Sequence, residues 1–315
     1  MASMANFVIY NYQFARIIEP DEQYQIQFPD WRAVDVEESF ARRQELLDEV
    51  LEFDYRQTVQ FVNKRGWEYW HKQIVEPQDG VYVMRVANVR NLSITNEQLK
   101  EEIVKDYRNC LVIIDNRKGI QRIAIEKKTK VFQRTQTVAG ILEATLNVLL
   151  KRYRLKVLLE APYPKREFWR IVEEHPKGFR KITFHFPHLN LERLTKVMDG
   201  FLTDVRKDWS SDLEFSFTAD DGGVLDLEKN KARKEALVEG ASAHGTSNSS
   251  GTYIIMYPKG GGKRVFVGKG QYVVEKLDDK VFEKLVGDEI LLKDMGTTPY
   301  DKVKVFMKNL PDVFE

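Results

Sequence analysis

Cysteine is nearly absent from this chain. Cys110 stands alone in the apolar run NCLVII, so no intramolecular disulfide can form and a reducing compartment is expected. A thiol in such a run reads as a small core residue rather than a nucleophile. No apolar run reaches the roughly 18–20 residues of a membrane-crossing helix. The N-terminus has no basic segment followed by an apolar stretch, so no secretory leader is expected, and the residues before Met4 read as a remnant ahead of the native start. The expected setting is cytoplasmic, without membrane insertion. Metal and nucleotide signatures are missing too. The five histidines (His71, His175, His185, His188, His244) form no His-Glu-x-x-His motif, and no Cys-x-x-Cys is possible. There is no Gly-x-Ser-x-Gly elbow. The glycine-rich stretch YPKGGGKRVFVGKG lacks the Gly-Lys-Ser/Thr of a phosphate-binding loop. These absences leave no catalytic residue, resident metal or cofactor in the expectation.

What is present is a chain of 315 residues, 43% hydrophobic and 11% aromatic, enough for two cores. The patterning predicts an α+β fold: two mixed domains, residues 1–154 and 155–315, with antiparallel or mixed sheets flanked by helices. NFVIYNYQFARII and VYVMRVANV read as strands. Residues 35–53 read as a helix with Asp35 as its cap and Glu38 three residues on. TNEQLKEEIVKDY reads as a short helix capped by Thr95. CLVIIDNRKGIQRIAIEK reads as two strands joined by a turn, with Ile123 and Ile125 inward and Arg122 on the opposite face. TQTVAGILEATLNVLLKRY reads as an amphipathic helix. Beyond residue 155, strands alternate with helices, among them LERLTKVMDGFLTDV and KVFEKL. Residues 240–251, GASAHGTSNSSG, read as a flexible loop.

Charge is segregated. Residues 1–116 hold 13 cations and 20 acids, residues 117–181 hold 17 and 6, and residues 182–315 hold 19 and 22. The balances are −7, +11 and −3. Within residues 117–134 there are seven Lys or Arg and one Glu. Such segregation suits one face meeting a polyanion. Phosphate contacts ask for charge and reach rather than base-specific geometry. The candidate contacts are therefore Arg122, Lys127, Lys128, Lys130 and Arg134, then Lys151, Arg152 and Arg154 at the far end of the helix. Lys259, Lys263 and Arg264 on the glycine-rich hairpin complete the set. Two cationic ends of a helix about 28 Å long reach phosphates spaced along a duplex. The competing reading is internal, with the acidic N-terminal third neutralising the basic block or an acidic partner protein docking on it.

Weaker constellations remain. Arg170 and His175 have an Arg-x4-His spacing used by helical ribonucleases, with Arg stabilising the phosphorane and His moving the proton. The polar residue usual after that Arg is replaced by Ile171. His185 and His188 beside Asp220 and Asp221 could supply metal ligands, but the spacing around Pro187 reads better as a strand end and turn. Asp220, Asp221 and Asp226 lack a calcium-loop spacing. Trp67, Tyr69 and Trp70 are candidate stacking residues.

The order of segments in residues 105–245 resembles a known arrangement. The hairpin CLVIIDNRKGIQRIAIEK leads into a Thr-starting helix, and ITFHFPHLNLERL, LEFSFTADDGGVLDL and ALVEGASAHG follow. This layout is similar to bacterial families linked to phage resistance, the Rex A exclusion proteins of lambdoid prophages and the Kiwa B proteins. The resemblance is one of order and texture, and no catalytic residue carries over. It implies a cytoplasmic homodimer that binds double-stranded DNA without sequence preference, in anti-phage defence. The alternatives are a protein-interaction subunit of a defence or regulatory complex, or a nuclease using His175 or His185.

Overall fold

The computed structural model describes residues 4–19, 21–52, 58–62, 68–186, 213–229, 231–244, 252–261, 263–268, 272–278, 280–281, 299–311 and 314. The fold is α+β, with two sheets and flanking helices. Its elements in chain order begin with β1 (Met4–Arg16), α1 (Glu22–Gln27), α2 (Val36–Ala41) and α3 (Arg43–Leu51). Then come β2 (Thr58–Val62), β3 (Glu68–Gln73), β4 (Val81–Thr95), β5 (Glu101–Asp115), β6 (Arg122–Glu126) and α4 (Thr135–Leu150). They are followed by β7 (Leu155–Glu160), α5 (Arg166–Glu174), β8 (Phe179–Phe186), β9 (Leu213–Thr218) and α6 (Lys231–His244). The series closes with β10 (Tyr253–Pro258), β11 (Val265–Phe266), β12 (Val274–Asp278) and α7 (Pro299–Asn309).

The chain divides into two compact units. One holds residues 1–10, 16–157 and 274–310, the other residues 11–15, 158–273 and 311–315. β12, expected in the second domain, thus belongs to the first unit, because it pairs antiparallel with the start of β1 from Met4↔Asp278 to Val8↔Val274. The expected helices at LERLTKVMDGFLTDV and KVFEKL lie outside the described residues, apart from the first residues of the latter. Residues 240–244, expected in a loop, finish α6.

In the first unit the sheet runs β12-β1-β6-β5-β4-β3-β2, with β7 also paired to β1. Val112, Ile113 and Ile114 of β5 and Ile123, Ala124 and Ile125 of β6 are all buried. Both faces of these strands are covered, so they read as continuous apolar runs rather than an alternation. α4 lies against β6 and α3 and buries Val138, Ile141, Leu142, Leu146 and Leu150 along one face. Asp35 caps α2, accepting from the Glu37 and Glu38 amides at 2.9 and 3.0 Å, and a break at Arg42 separates α2 from α3.

The expected helix over TNEQLKEEIVKDY is instead the tip and outgoing strand of a long hairpin. β4 and β5 pair from Val81↔Asp115 to Thr95↔Glu101. The turn is closed by the Asn96 side chain, which accepts from the Gln98 and Lys100 amides at 2.9 and 3.0 Å, and by Leu99 in the left-handed region at φ 59°. Asn side chains make such turns readily. A ready strand partner outweighs the modest helix preference of Glu and Lys.

In the second unit the sheet order is β11-β10-β8-β9. Phe168 and Ile171 of α5 and Leu237, Val238 and Ala241 of α6 share its core with Ile182, Phe184, Phe186, Ile254 and Met256. Among the described residues no helix is long and apolar enough to cross a membrane.

Candidate nucleic-acid interface

The segment between β6 and α4 is a short loop held from several sides. The Lys127 amide donates to the Asn6 carbonyl of β1 at 2.7 Å. The Val131 and Phe132 amides both donate to the Lys128 carbonyl, at 2.8 and 3.1 Å, and form a tight turn. Val131 and Phe132 are buried, so the loop is pinned by two apolar anchors. Around them Lys127, Lys128, Lys130 and Arg134 are exposed. Arg90 of β4 donates from Nη2 to the Val131 carbonyl at 3.0 Å and adds a fifth guanidinium or ammonium group to this surface. Sequence reasoning missed Arg90, which is far away along the chain and joins the loop only through the β4–β5–β6 order.

The loop leads into the positive end of α4. Arg134 is the residue before the helix, and no side chain caps that end. Helix N-termini attract anions through their free amides and dipole. With 16 residues, α4 is about 24 Å long. Its far end carries Arg152, exposed beside Tyr153, and Lys151, half-buried with its ammonium 5.1 Å from the Tyr24 ring centre.

Not every expected cation reaches the surface. Arg122 is 2% exposed and donates to the Leu310 carbonyl, because both faces of β6 are covered. Arg154 is 8% exposed, adopts φ 56°, and donates to the Ile17 and Ile18 carbonyls while lying over the Trp31 ring. Both are structural arginines that satisfy backbone oxygens. Arg117 is held by Asp115 at 2.7 Å and donates to the Lys304 carbonyl at 2.9 Å.

Among the described residues, the carboxylates of the acidic N-terminal third form no ion pair with the loop cations. Glu37 pairs with Arg16 at 2.8 Å, and Arg42 lies 2.9 Å from Glu45 and 3.7 Å from Glu49. Asp48 accepts from the Tyr82 hydroxyl at 2.7 Å and the Asn116 amide at 2.8 Å. Lys128 approaches the half-buried Glu126 at 3.7 Å, a carboxylate that also accepts from the Leu111 amide at 2.9 Å. Among the described residues, no carboxylate forms an ion pair with Lys127, Lys130 or Arg134.

Lys259, Lys263 and Arg264 are exposed in the second unit, on the connection between β10 and β11. Gly260 and Gly261 have φ 91° and 79° there, a backbone only glycine adopts without strain. The Arg264 guanidinium lies 5.1 Å from the Phe266 ring centre.

The other constellations separate. Arg170 is held at both ends, by Glu167 at 2.9 Å and by Glu174. The His175 Nδ1 sits 2.8 Å from the Ile171 carbonyl. His185 is stacked on Tyr253 at 4.4 Å, and Asp220 and Asp221 are exposed in a turn; His188 lies outside the described residues. Among the described residues no group of three metal-ligating side chains comes together. Cys110 is buried, which pushes its thiol up to about 12, out of nucleophile range. Tyr69 is buried, Trp70 packs edge-on against Tyr107 at 6.0 Å, and Trp67 lies outside the described residues. Comparison with protein-family models and with curated proteins gives no match.

Proposed function

We propose that this protein binds the phosphate backbone of double-stranded DNA without sequence preference and without chemistry of its own. Lys127, Lys128, Lys130, Arg134 and Arg90 make the principal contact, and Lys151 and Arg152 extend it. The observation that carries this reading is the pinned loop 127–134, which holds four exposed cations at the uncapped end of α4, with only Lys128 drawn to a carboxylate among the described residues. The roughly 24 Å between the ends of α4 is most of the ~34 Å helical repeat of a duplex. Lys259, Lys263 and Arg264 are a second contact in the other unit. We place the protein in the cytoplasm, acting as a homodimer in defence against phage; that setting rests on the resemblance of residues 105–245.

A gel-shift titration on unrelated duplexes at several salt concentrations tests the reading. Affinity should fall steeply with salt and vary little with sequence, and the DNA should be recovered uncut. Replacing Lys127, Lys130 and Arg134 together by Gln should lower the log–log salt slope by about 2–3, near 0.9 for each lost contact. No binding at low salt, or a slope unmoved by the triple substitution, overturns it.

A further inference from the structure

Among the described residues, the hairpin of β4 and β5 outruns the sheet that holds its base. The β3 ladder on β4 stops at Tyr69↔Asn88, and the β6 ladder on β5 starts only at Val112. Beyond those points β4 and β5 continue as a pair from Val89↔Tyr107 to Thr95↔Glu101. Among the described residues no third strand accompanies them. A two-stranded ribbon is marginal alone in water, and an unpaired strand edge is a template for another strand. This arm exposes Leu92, Ile94, Leu99, Ile103, Val104 and Tyr107, with Leu99 86% and Ile103 76% exposed.

Its charges balance, unlike those of the loop. Arg90, Lys100, Lys105 and Arg108 face Glu97, Glu101, Glu102 and Asp106 in number. Beyond Arg90, which serves the basic loop at its root, the arm carries no excess of positive charge. It suits a partner that carries both signs in a matching order.

The backbone says which edge is open. In an antiparallel strand each residue sends its N–H and C=O to one side, and neighbours alternate. Leu111 sends its N–H toward β6, where the Glu126 carboxylate accepts it at 2.9 Å. Lys105, Ile103 and Glu101 share that parity, so their amides and carbonyls point out of the same edge, beyond the end of β6.

The geometry points to a second copy of this chain on that edge, with β5 pairing antiparallel to β5 of the copy about a two-fold axis at Ile103. An axis perpendicular to the sheet maps each face onto itself, so opposite residues share parity. With the axis at Ile103, Ile103 meets its own counterpart, and Glu101 meets Lys105 of the second copy, twice by symmetry. These are also the residues whose backbone groups face outward. Moving the axis to Lys105 would oppose two lysines, and moving it to Glu102 would oppose two glutamates. An axis at Val104 would set Ile103 against Lys105 and Glu101 against Tyr107. Charge therefore selects the Ile103 register. In the isolated chain Lys105 lies 3.6 Å from Glu68, an exposed pair that exchanges easily.

This assignment rests on the homodimer reading but not on DNA binding, and it is tested on the full chain without DNA. Sedimentation equilibrium of the wild type should report twice the 36.9 kDa of one chain. Glu101→Lys and Lys105→Glu should each weaken the dimer about tenfold or more by setting like charges opposite, and the double exchange should recover most of that loss. Circular dichroism confirms that each variant keeps its sheet. A wild type that is monomeric at every concentration removes both the homodimer and the arm assignment. A dimer indifferent to the single exchanges, or one not recovered by the double, removes the arm assignment alone.

Discussion

The Arg90 side chain, from the middle of β4, donates to the Val131 carbonyl at 3.0 Å and thereby fastens the basic loop to the root of the projecting hairpin. One guanidinium both shapes the loop and adds charge to it. Arg90→Ala should therefore weaken DNA binding more than deleting one exposed lysine, by about 1–2 kcal/mol. Amide exchange in residues 127–134 should quicken alongside. Unchanged exchange with unchanged affinity would show that the bond orders nothing.

Arg154 should behave in the opposite way. It lies in the middle of the chain's most cationic stretch, yet its guanidinium serves the carbonyls of Ile17 and Ile18. Arg154→Ala should lower unfolding free energy by about 2–3 kcal/mol in a urea titration, since carbonyls lose their donor in a buried place. DNA affinity per folded molecule should hold.

Gly268 has φ 72°, and an added Cβ would sit 2.3 Å from Cδ1 of the fully buried Tyr163. Gly268→Ala combines a left-handed backbone with a clash against a ring that has nowhere to go. A loss of about 2–4 kcal/mol is expected, read as a drop in denaturation midpoint.

His71 gives the fold an acid limit. It is buried in β3, and burial alone lowers it from the ordinary 6.5 to about 4. The unfolded chain therefore takes up a proton near pH 6.5, while the folded chain resists until about pH 4. In that window the unfolded state binds more protons, so stability falls as pH falls, by up to about 3 kcal/mol. Above pH 6.5 this histidine contributes no pH dependence. His71→Gln should flatten the stability profile between pH 4 and 6.5; an unchanged profile would assign the acid sensitivity elsewhere.

Much of this was legible in the residues. The buried face of α4 follows from Val138, Leu142 and Leu146 at helical spacing, and Asp35 announces the start of α2. The loop cations were legible because Lys127, Lys128, Lys130 and Arg134 have little apolar company apart from Val131 and Phe132. The tip of the long hairpin was not. Thr95 followed by Glu and Lys residues carries the local preference of a helix, and only the waiting edge of β4 makes a strand of it. The burial of Arg122 and Arg154 was equally hidden. Whether a guanidinium goes inside depends on carbonyls arriving from Leu310 and from Ile17 and Ile18, which sequence spacing does not encode.

β1 contributes residues to both compact units, and its first half is completed by β12, which lies more than 250 positions downstream. The ribosome therefore releases the earliest strand long before its neighbour exists. Until residues 274–278 emerge, the stretch from Met4 to Val8 lacks the strand that pairs with it, a window in which a chaperone can act. No single cut of the gene frees either half for separate production, since each is stitched from three stretches of the chain.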